Sequence, residues 1–306
     1  MKSEQKHGFL RSPHPYAFLT ATFWSLAYVL TRACSPYLAS FSTAFLRCFV
    51  AACTMIVVIL LRKKSLPGKK ELLWFLLAGF VGFFLYMIFF NLGCPMVTSA
   101  TGNVVLAMTP IVTALGARMV LKEHLQWVQW IGIAVAFLGV VILTVLSGGL
   151  TVNIGLVWLL IAVLILSTYN LITRYLGRSH DSLTITAYGI IFGAVFLGIF
   201  APRAVTEIAQ APLKVYLFLL ILGIGCSGIA YCSWTKAFKL AKNASTVSNY
   251  QSTTPFLAAI FGYIFIGDPI ESCAIWGGIV IMLGLALFNF GPGALRRMSE
   301  EKRSET

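Results

Sequence analysis

Apolar runs of about twenty residues recur along the whole chain, and a bilayer core about 30 Å thick needs a helix of that length at about 1.5 Å per residue. The runs fall at roughly 16–33, 40–61, 71–91, 97–119, 125–146, 154–174, 182–201, 214–235, 244–266 and 271–290, with short loops between them. Hydrocarbon offers no water to a backbone amide, so each run has to satisfy its own hydrogen bonds as a helix. The expected fold class is therefore all-α: a polytopic membrane protein of ten transmembrane helices. Of 306 residues, 58% are hydrophobic and only 11% are charged, about half the charged share of a soluble domain. The segments left over are a head, residues 1–15, and a charged tail, residues 291–306. The first run holds Thr, Trp and Tyr and leads at once into a second, so it reads as a span and not as a cleaved leader.

The net charge of +13 is no sign of nucleic acid, because the charges are sorted. With the N-terminus in the cytoplasm, the inner segments hold Lys2, Lys6, Arg11, Arg62, Lys63, Lys64, Lys69, Lys70, Arg118, Lys122, Arg174, Arg178, Lys236, Lys239, Lys242, Arg296, Arg297, Lys302 and Arg303. The outer segments hold only Arg32, Arg203 and Lys214, and Arg47 is left inside a span. That asymmetry is the positive-inside pattern and puts both termini in the cytoplasm.

The chain also matches itself. Shifted by 145 residues, "TGNVVLAMTPIVTAL" (101–115) falls on "TVSNYQSTTPFLAAI" (246–260). Thr109-Pro110 meets Thr254-Pro255, Glu123 meets Asp268, Gly132 meets Gly277 and Gly139 meets Gly284. Earlier, "SLAYVLTR" (25–32) matches "STYNLITR" (167–174). Residues 16–146 and 154–290 are thus two repeats of five spans each. Five is odd, so the second is inserted upside down, and inverted repeats are the usual architecture of secondary transporters.

Pro110 and Pro255 lie near the middle of spans four and nine. Each removes a backbone donor and kinks its helix, leaving the carbonyls of Leu106 and Gln251 without their normal partner. Such a defect is tolerated only where protein or a watery cavity supplies one. Ser248, Asn249, Gln251, Ser252 and Thr253 cluster at the second kink. The candidate substrate cavity is drawn from polar residues on several spans: Trp24, Tyr28, Arg47, Tyr86, Asn103, Thr109, Asn170, Tyr231, Ser248, Gln251 and Ser252. The competing use of these hydroxyls and amides is to bind helix to helix. Arg47, about 10 Å along its span at 1.5 Å per residue, either snorkels outward or pairs with a substrate carboxylate or a helix C-terminus. Spans five and ten are nearly bare of polar groups. Their glycines give flat faces for close packing, or for a homodimer. Trp74 and Trp127 read as headgroup anchors.

All ten acidic residues sit at span ends, in loops or in tails, so no mid-membrane carboxylate is available to bind a cation or relay a proton. The four histidines lie in the head and loops. The pattern holds no catalytic motif, no metal-binding spacing and no nucleotide loop, so no cofactor, metal or enzyme activity is expected. Gly223, Gly225 and Gly228 lie within an apolar span and read as packing. The seven cysteines read as small buried residues.

The motifs "FLRCFVAA" (45–52), "NVVLAMTPIVTALGARMVLKEHL" (103–125), "TVSNYQSTTPFLAAIFGYIFIGDPI" (246–270), "GIAVAFLGVVIL" and "GIVIMLGLALF" together resemble the EamA family of the drug/metabolite transporter superfamily. The likeness spans about residues 16–290. Pro110–Glu123 fits the family's proline-to-glutamate spacing, Asp268 stands where the second glutamate would be, and Arg47 matches the span-two arginine. The resemblance implies a carrier in a bacterial cytoplasmic membrane, mainly an exporter of amino acids and other small metabolites. The expected function is alternating-access transport of a small neutral or zwitterionic metabolite. The alternatives are a drug exporter, a non-transporting receptor or scaffold, and, more remotely, an intramembrane enzyme.

Overall fold

The computed structural model describes residues 12–63, 68, 71–148, 153–241, 247 and 249–304. Of the candidate residues, Ser248 lies outside these, as does the side chain of Ser252. Every regular element among the described residues is helical. In chain order they are α1 (His14–Cys34), α2 (Ser40–Leu61), α3 (Leu72–Met96), α4 (Ser99–Leu121), α5 (Trp127–Gly148), α6 (Ile154–Leu176), α7 (Ser182–Gln210), α8 (Leu213–Leu240), α9 (Thr254–Ile266) and α10 (Ser272–Ser304). Seven are long and apolar enough to cross a membrane: α2, α3, α4, α6, α7, α8 and, within α10, Ser272–Ala294. The shorter apolar stretches are Trp127–Leu143 and Thr254–Ile266.

Helix starts follow local chemistry. Thr98, Asn153 and Asp181 each accept from a backbone N–H of the following first turn, which satisfies an amide that the helix itself cannot. Helices α4 and α9 end alike. Lys122 (φ 55°) and Gly267 (φ 67°) turn the chain left-handed just past the last helical residue, and the acids Glu123 and Asp268 follow directly. The two positions are equivalent under the 145-residue shift. Only Gly267 takes this conformation without a Cβ penalty.

Packing is reciprocal between the repeats. Helix α1 packs on α9 and α8, and α6 packs correspondingly on α4 and α3. Helix α2 meets α7, its own counterpart, and α5 meets α10. A π-helical stretch interrupts α3 at Phe80–Leu85 and α8 at Ile221–Ile229, at corresponding depths of corresponding helices. The core therefore lies mainly between the halves: Ile133, Ala136, Val140 and Leu143 of α5 share one cluster with Ile281, Leu285 and Phe288 of α10.

The α5–α10 contact is set by glycine. A Cβ on Gly132 would lie 2.7 Å from the Phe288 backbone nitrogen, and one on Gly139 2.7 Å from that of Ile281. On Gly284 it would lie 2.5 Å from the Ala136 nitrogen. The flat glycine faces are thus consumed within the chain. Of the two uses the sequence allows for them, these glycines serve close packing within the chain. Gly139→Val should lower the melting temperature in detergent, the overpacking amounting to about 1–3 kcal/mol. Leu138→Ala, on the exposed face of the same helix, should leave it within about 0.5 kcal/mol.

Candidate functional site

Helix α4 is two rods, Ser99–Leu106 and Thr109–Leu121, with Pro110 in the first turn of the second. Helix α9 likewise begins at Thr254 with Pro255 in its first turn, after a 3-10 stretch over Asn249–Thr253. Proline suits a first turn, where its missing N–H has no intrahelical partner to lose. Of the two partners the sequence allows for the freed carbonyls, protein or a watery cavity, protein supplies both. The Thr109 hydroxyl donates to the Leu106 carbonyl at 2.6 Å, and the Thr254 hydroxyl to the Gln251 carbonyl at 2.7 Å. The threonine before each proline repairs the gap three residues back.

A second layer of bonds crosses between the repeats. Ser25 of α1 donates to the Thr254 carbonyl at 3.1 Å, and Ser167 of α6 donates to the Thr109 carbonyl at 3.3 Å. Ser25 and Ser167 are the first residues of the matched octets. Both are buried. Asn170, one turn on from Ser167, donates to the Thr113 hydroxyl at 3.2 Å, and Thr113 in turn donates to the Thr109 carbonyl at 2.8 Å. Asn103 closes on its own helix, donating to the Ser99 carbonyl at 3.0 Å. Thr109 and Asn170 thus belong to the clamp around the break in α4, Asn103 bonds within the first rod of α4, and the half-buried Gln251 takes part through its carbonyl at the start of α9.

The remaining candidates gather elsewhere, between α1, α2, α3 and α8. Arg47 is 8% exposed. One guanidinium nitrogen is 3.4 Å from the Thr31 hydroxyl, and the group stands 5.8 Å over the Phe90 ring. It does not snorkel outward. Tyr86 packs on the same Phe90 ring at 5.6 Å. Tyr231 packs edge-on against Trp24 at 5.6 Å, and Trp24 packs on Trp234 at 5.0 Å. Tyr28 stands edge-on to Phe90 at 5.5 Å and is fully enclosed. A Cβ on Gly102 would fall 2.0 Å from its hydroxyl, so only glycine lets α1 and α4 close here. The charged group among these residues is the Arg47 guanidinium. Among the described residues no carboxylate pairs with Arg47, and its Nε is buried with no hydrogen-bond partner.

Two surface clefts lie apart from this cluster. One, of about 430 Å³, is lined by Leu115, Arg118, Met119, Lys122, His124 and Trp130. The other, of about 350 Å³, is lined by Glu71, Trp74, Tyr175, Leu176, Arg178, Ser179 and His180. Trp74 packs there on the Tyr175 ring at 4.6 Å. Sequence reasoning missed Phe90 and Trp234, which only the fold brings to the Arg47 group. It also missed the burial of Asp268. A signal for Asp268 was present, since the self-match pairs both its position and that of Arg32 with a second acid and a second arginine.

The chain belongs to the EamA-like transporter family, whose model matches residues 12–145 and 153–290. It is accordingly a multi-pass membrane transporter of the drug/metabolite class and not an enzyme. A transporter of Archaeoglobus fulgidus is 27% identical over 87% of this chain and 95% of its own length. The probable terminal-alkyne amino-acid exporter of Streptantibioticus cattleyicolor is 28% identical over 73% of this chain and 75% of its own. A solved crystal structure shares the fold with a TM-score of 0.62 and 19% identity, covering 90% of this chain and 96% of that one.

The clamp makes a measurable claim. Thr254→Val removes the donor to the Gln251 carbonyl while keeping the shape, and should destabilise the protein by about 1–3 kcal/mol, the range for a buried unsatisfied group. Thr254→Ser should retain most of the stability. Equal melting temperatures for the valine and serine variants would remove the hydroxyl from the account.

Proposed function

We propose that the protein exports small zwitterionic or neutral metabolites of the amino-acid class across a bacterial cell membrane. In this reading all ten helices cross the bilayer and both termini are cytoplasmic. The five-helix repeats, 16–146 and 154–290, are inverted and rock about a central site. The sorted basic residues and the reciprocal packing support that topology.

The observation that carries the substrate class is Arg47. A buried guanidinium without a counter-ion is costly, and a carboxylate answers it with two parallel charge-assisted hydrogen bonds. The Phe90 ring lies against it and Tyr86 packs on that ring, and aromatic faces attract an ammonium group. A carboxylate with an ammonium on the adjacent carbon suits both features at once. The amino-acid exporter among the relatives agrees with this class without fixing the member. A cationic drug fits worse, because Arg47 repels it and no embedded acid offsets the charge. The same lack of a mid-membrane acid favours facilitated exchange over proton coupling.

Counterflow in proteoliposomes loaded with a mixed pool of labelled amino acids tests the proposal. Arg47→Ala should cut exchange about thirtyfold or more, as expected when one partner of a buried charge pair is truncated. Arg47→Lys should recover part of it. Both variants should elute as intact protein. Amines lacking the carboxylate should compete poorly, and full competition by them would sink the assigned role of Arg47.

A further inference from the structure

Two ion pairs join the halves, one at each end of α4. At the Ser99 end, Arg32 Nε lies 3.1 Å from Asp268 Oδ1. The other Asp268 oxygen accepts from the Ser99 backbone N–H at 2.9 Å and from the Ser99 hydroxyl at 2.7 Å. Glu271 accepts from the Thr98 and Thr101 hydroxyls, each at 3.0 Å. At the Leu121 end, Arg174 grips both oxygens of Glu123, at 2.6 and 3.0 Å. The ends of this helix are about 33 Å apart at about 1.5 Å per residue.

The pairs are the same contact made twice. Arg32 and Arg174 are the last residues of the matched octets, and Asp268 and Glu123 meet under the 145-residue shift. Each acid follows a left-handed turn at the end of its helix. In both cases the arginine comes from the first helix of one repeat and the acid from the loop after the fourth helix of the other.

Their states differ. The side chains of Arg32 and Asp268 are 24% and 9% exposed, while those of Arg174 and Glu123 are 56% and 42% exposed. Asp268 is also sewn to the start of α4. Among the described residues Glu123 pairs through its side chain with Arg174 alone. A solvated pair holds little, whereas a desolvated pair with its lone pairs satisfied resists opening.

We infer that these pairs are the two gates of one alternating-access cycle, both made in this structure, with the Arg32–Asp268 gate buried and the Arg174–Glu123 gate solvated and so the easier to open. Arg32, Asp268, Arg174 and Glu123 are positioning residues, and each gate bolts a helix of one half to a loop of the other. Exchanging the two environments between symmetry-equivalent pairs yields the opposite state. A carboxylate at position 268 is needed because it bridges two partners, Arg32 and the first turn of α4. The inference rests on the alternating-access reading, and the test below separates the two.

Cys34 reports on the Arg32–Asp268 gate. It lies two residues past Arg32 and is 0% exposed. The experiment measures its reaction with a polar maleimide in nanodiscs, in a full-length variant where it is the only cysteine. Asp268→Asn and Arg32→Gln should each speed labelling about tenfold or more, as loss of a buried partner implies. Glu123→Gln and Arg174→Gln should not speed it, because freeing the other gate leaves this one shut. Should Asp268→Asn fail to fold, Ser99→Ala removes only its hydroxyl contact and should give a smaller rise. Unchanged labelling in the Asp268, Arg32 and Ser99 variants overturns the inference, and so does an equal rise in the Glu123 variant. Gated labelling without amino-acid counterflow would keep the gates and discard the substrate reading. Counterflow with ungated labelling would do the reverse.

Discussion

A peptide carbonyl released inside a membrane has no water to turn to, and the architecture here follows from how two such carbonyls are satisfied. Proline at 110 follows the break within α4, and proline at 255 sits in the first turn of α9. The hydroxyls of Thr109 and Thr254 cover one carbonyl at each break. Serines from the opposite repeat reach the next one. The second layer matters more for architecture. Each freed carbonyl is covered by its own helix, and the serine bonds add a tie beside the break that holds α9 against α1 and α4 against α6. A break held by hydroxyls is also a place where a helix can bend without exposing backbone to lipid.

The same contacts divide what the sequence could say from what it could not. Helical class and the sites of the breaks were legible, because apolar run length and the Thr-Pro pair are local signals. Arg47 was legible as the one strong charge inside a span. Its inward direction was not, since a lone arginine about 10 Å from a span end can turn either way. That the freed carbonyls need a partner was legible, but which group supplies it was not: a missing amide does not say whether protein or water answers it, although the threonine that does so lies beside the proline. The glycines of α5 and α10 were read correctly as flat faces, yet a glycine face does not name its partner, and only the fold shows that each covers the other.

Asp268 shows a further limit. A loop acid beside an apolar span ordinarily belongs in water. Burial here depends on Arg32, far away in sequence, and on the free amide at the start of α4. Neither is visible near position 268. The self-match did hold the information in another form. An arginine and an acid that recur together in both repeats, in regions of otherwise low identity, are constrained by something the repeats share.

Two cationic groups then divide the labour. Arg47 is enclosed and has no protein counter-ion among the described residues, so its charge remains available to a ligand. Arg32 and Arg174 each have one, so their charge is spent on joining the halves. This separation is what a carrier requires. If the binding arginine were satisfied by the protein, a substrate would have to displace a carboxylate to enter. If the end pairs were open to the substrate, its charge would compete with the gates. The centre is left unsatisfied and the ends are satisfied unequally. Binding at the centre can then shift the balance between two equivalent end contacts, since a ligand shifts a two-state equilibrium only as far as it prefers one state.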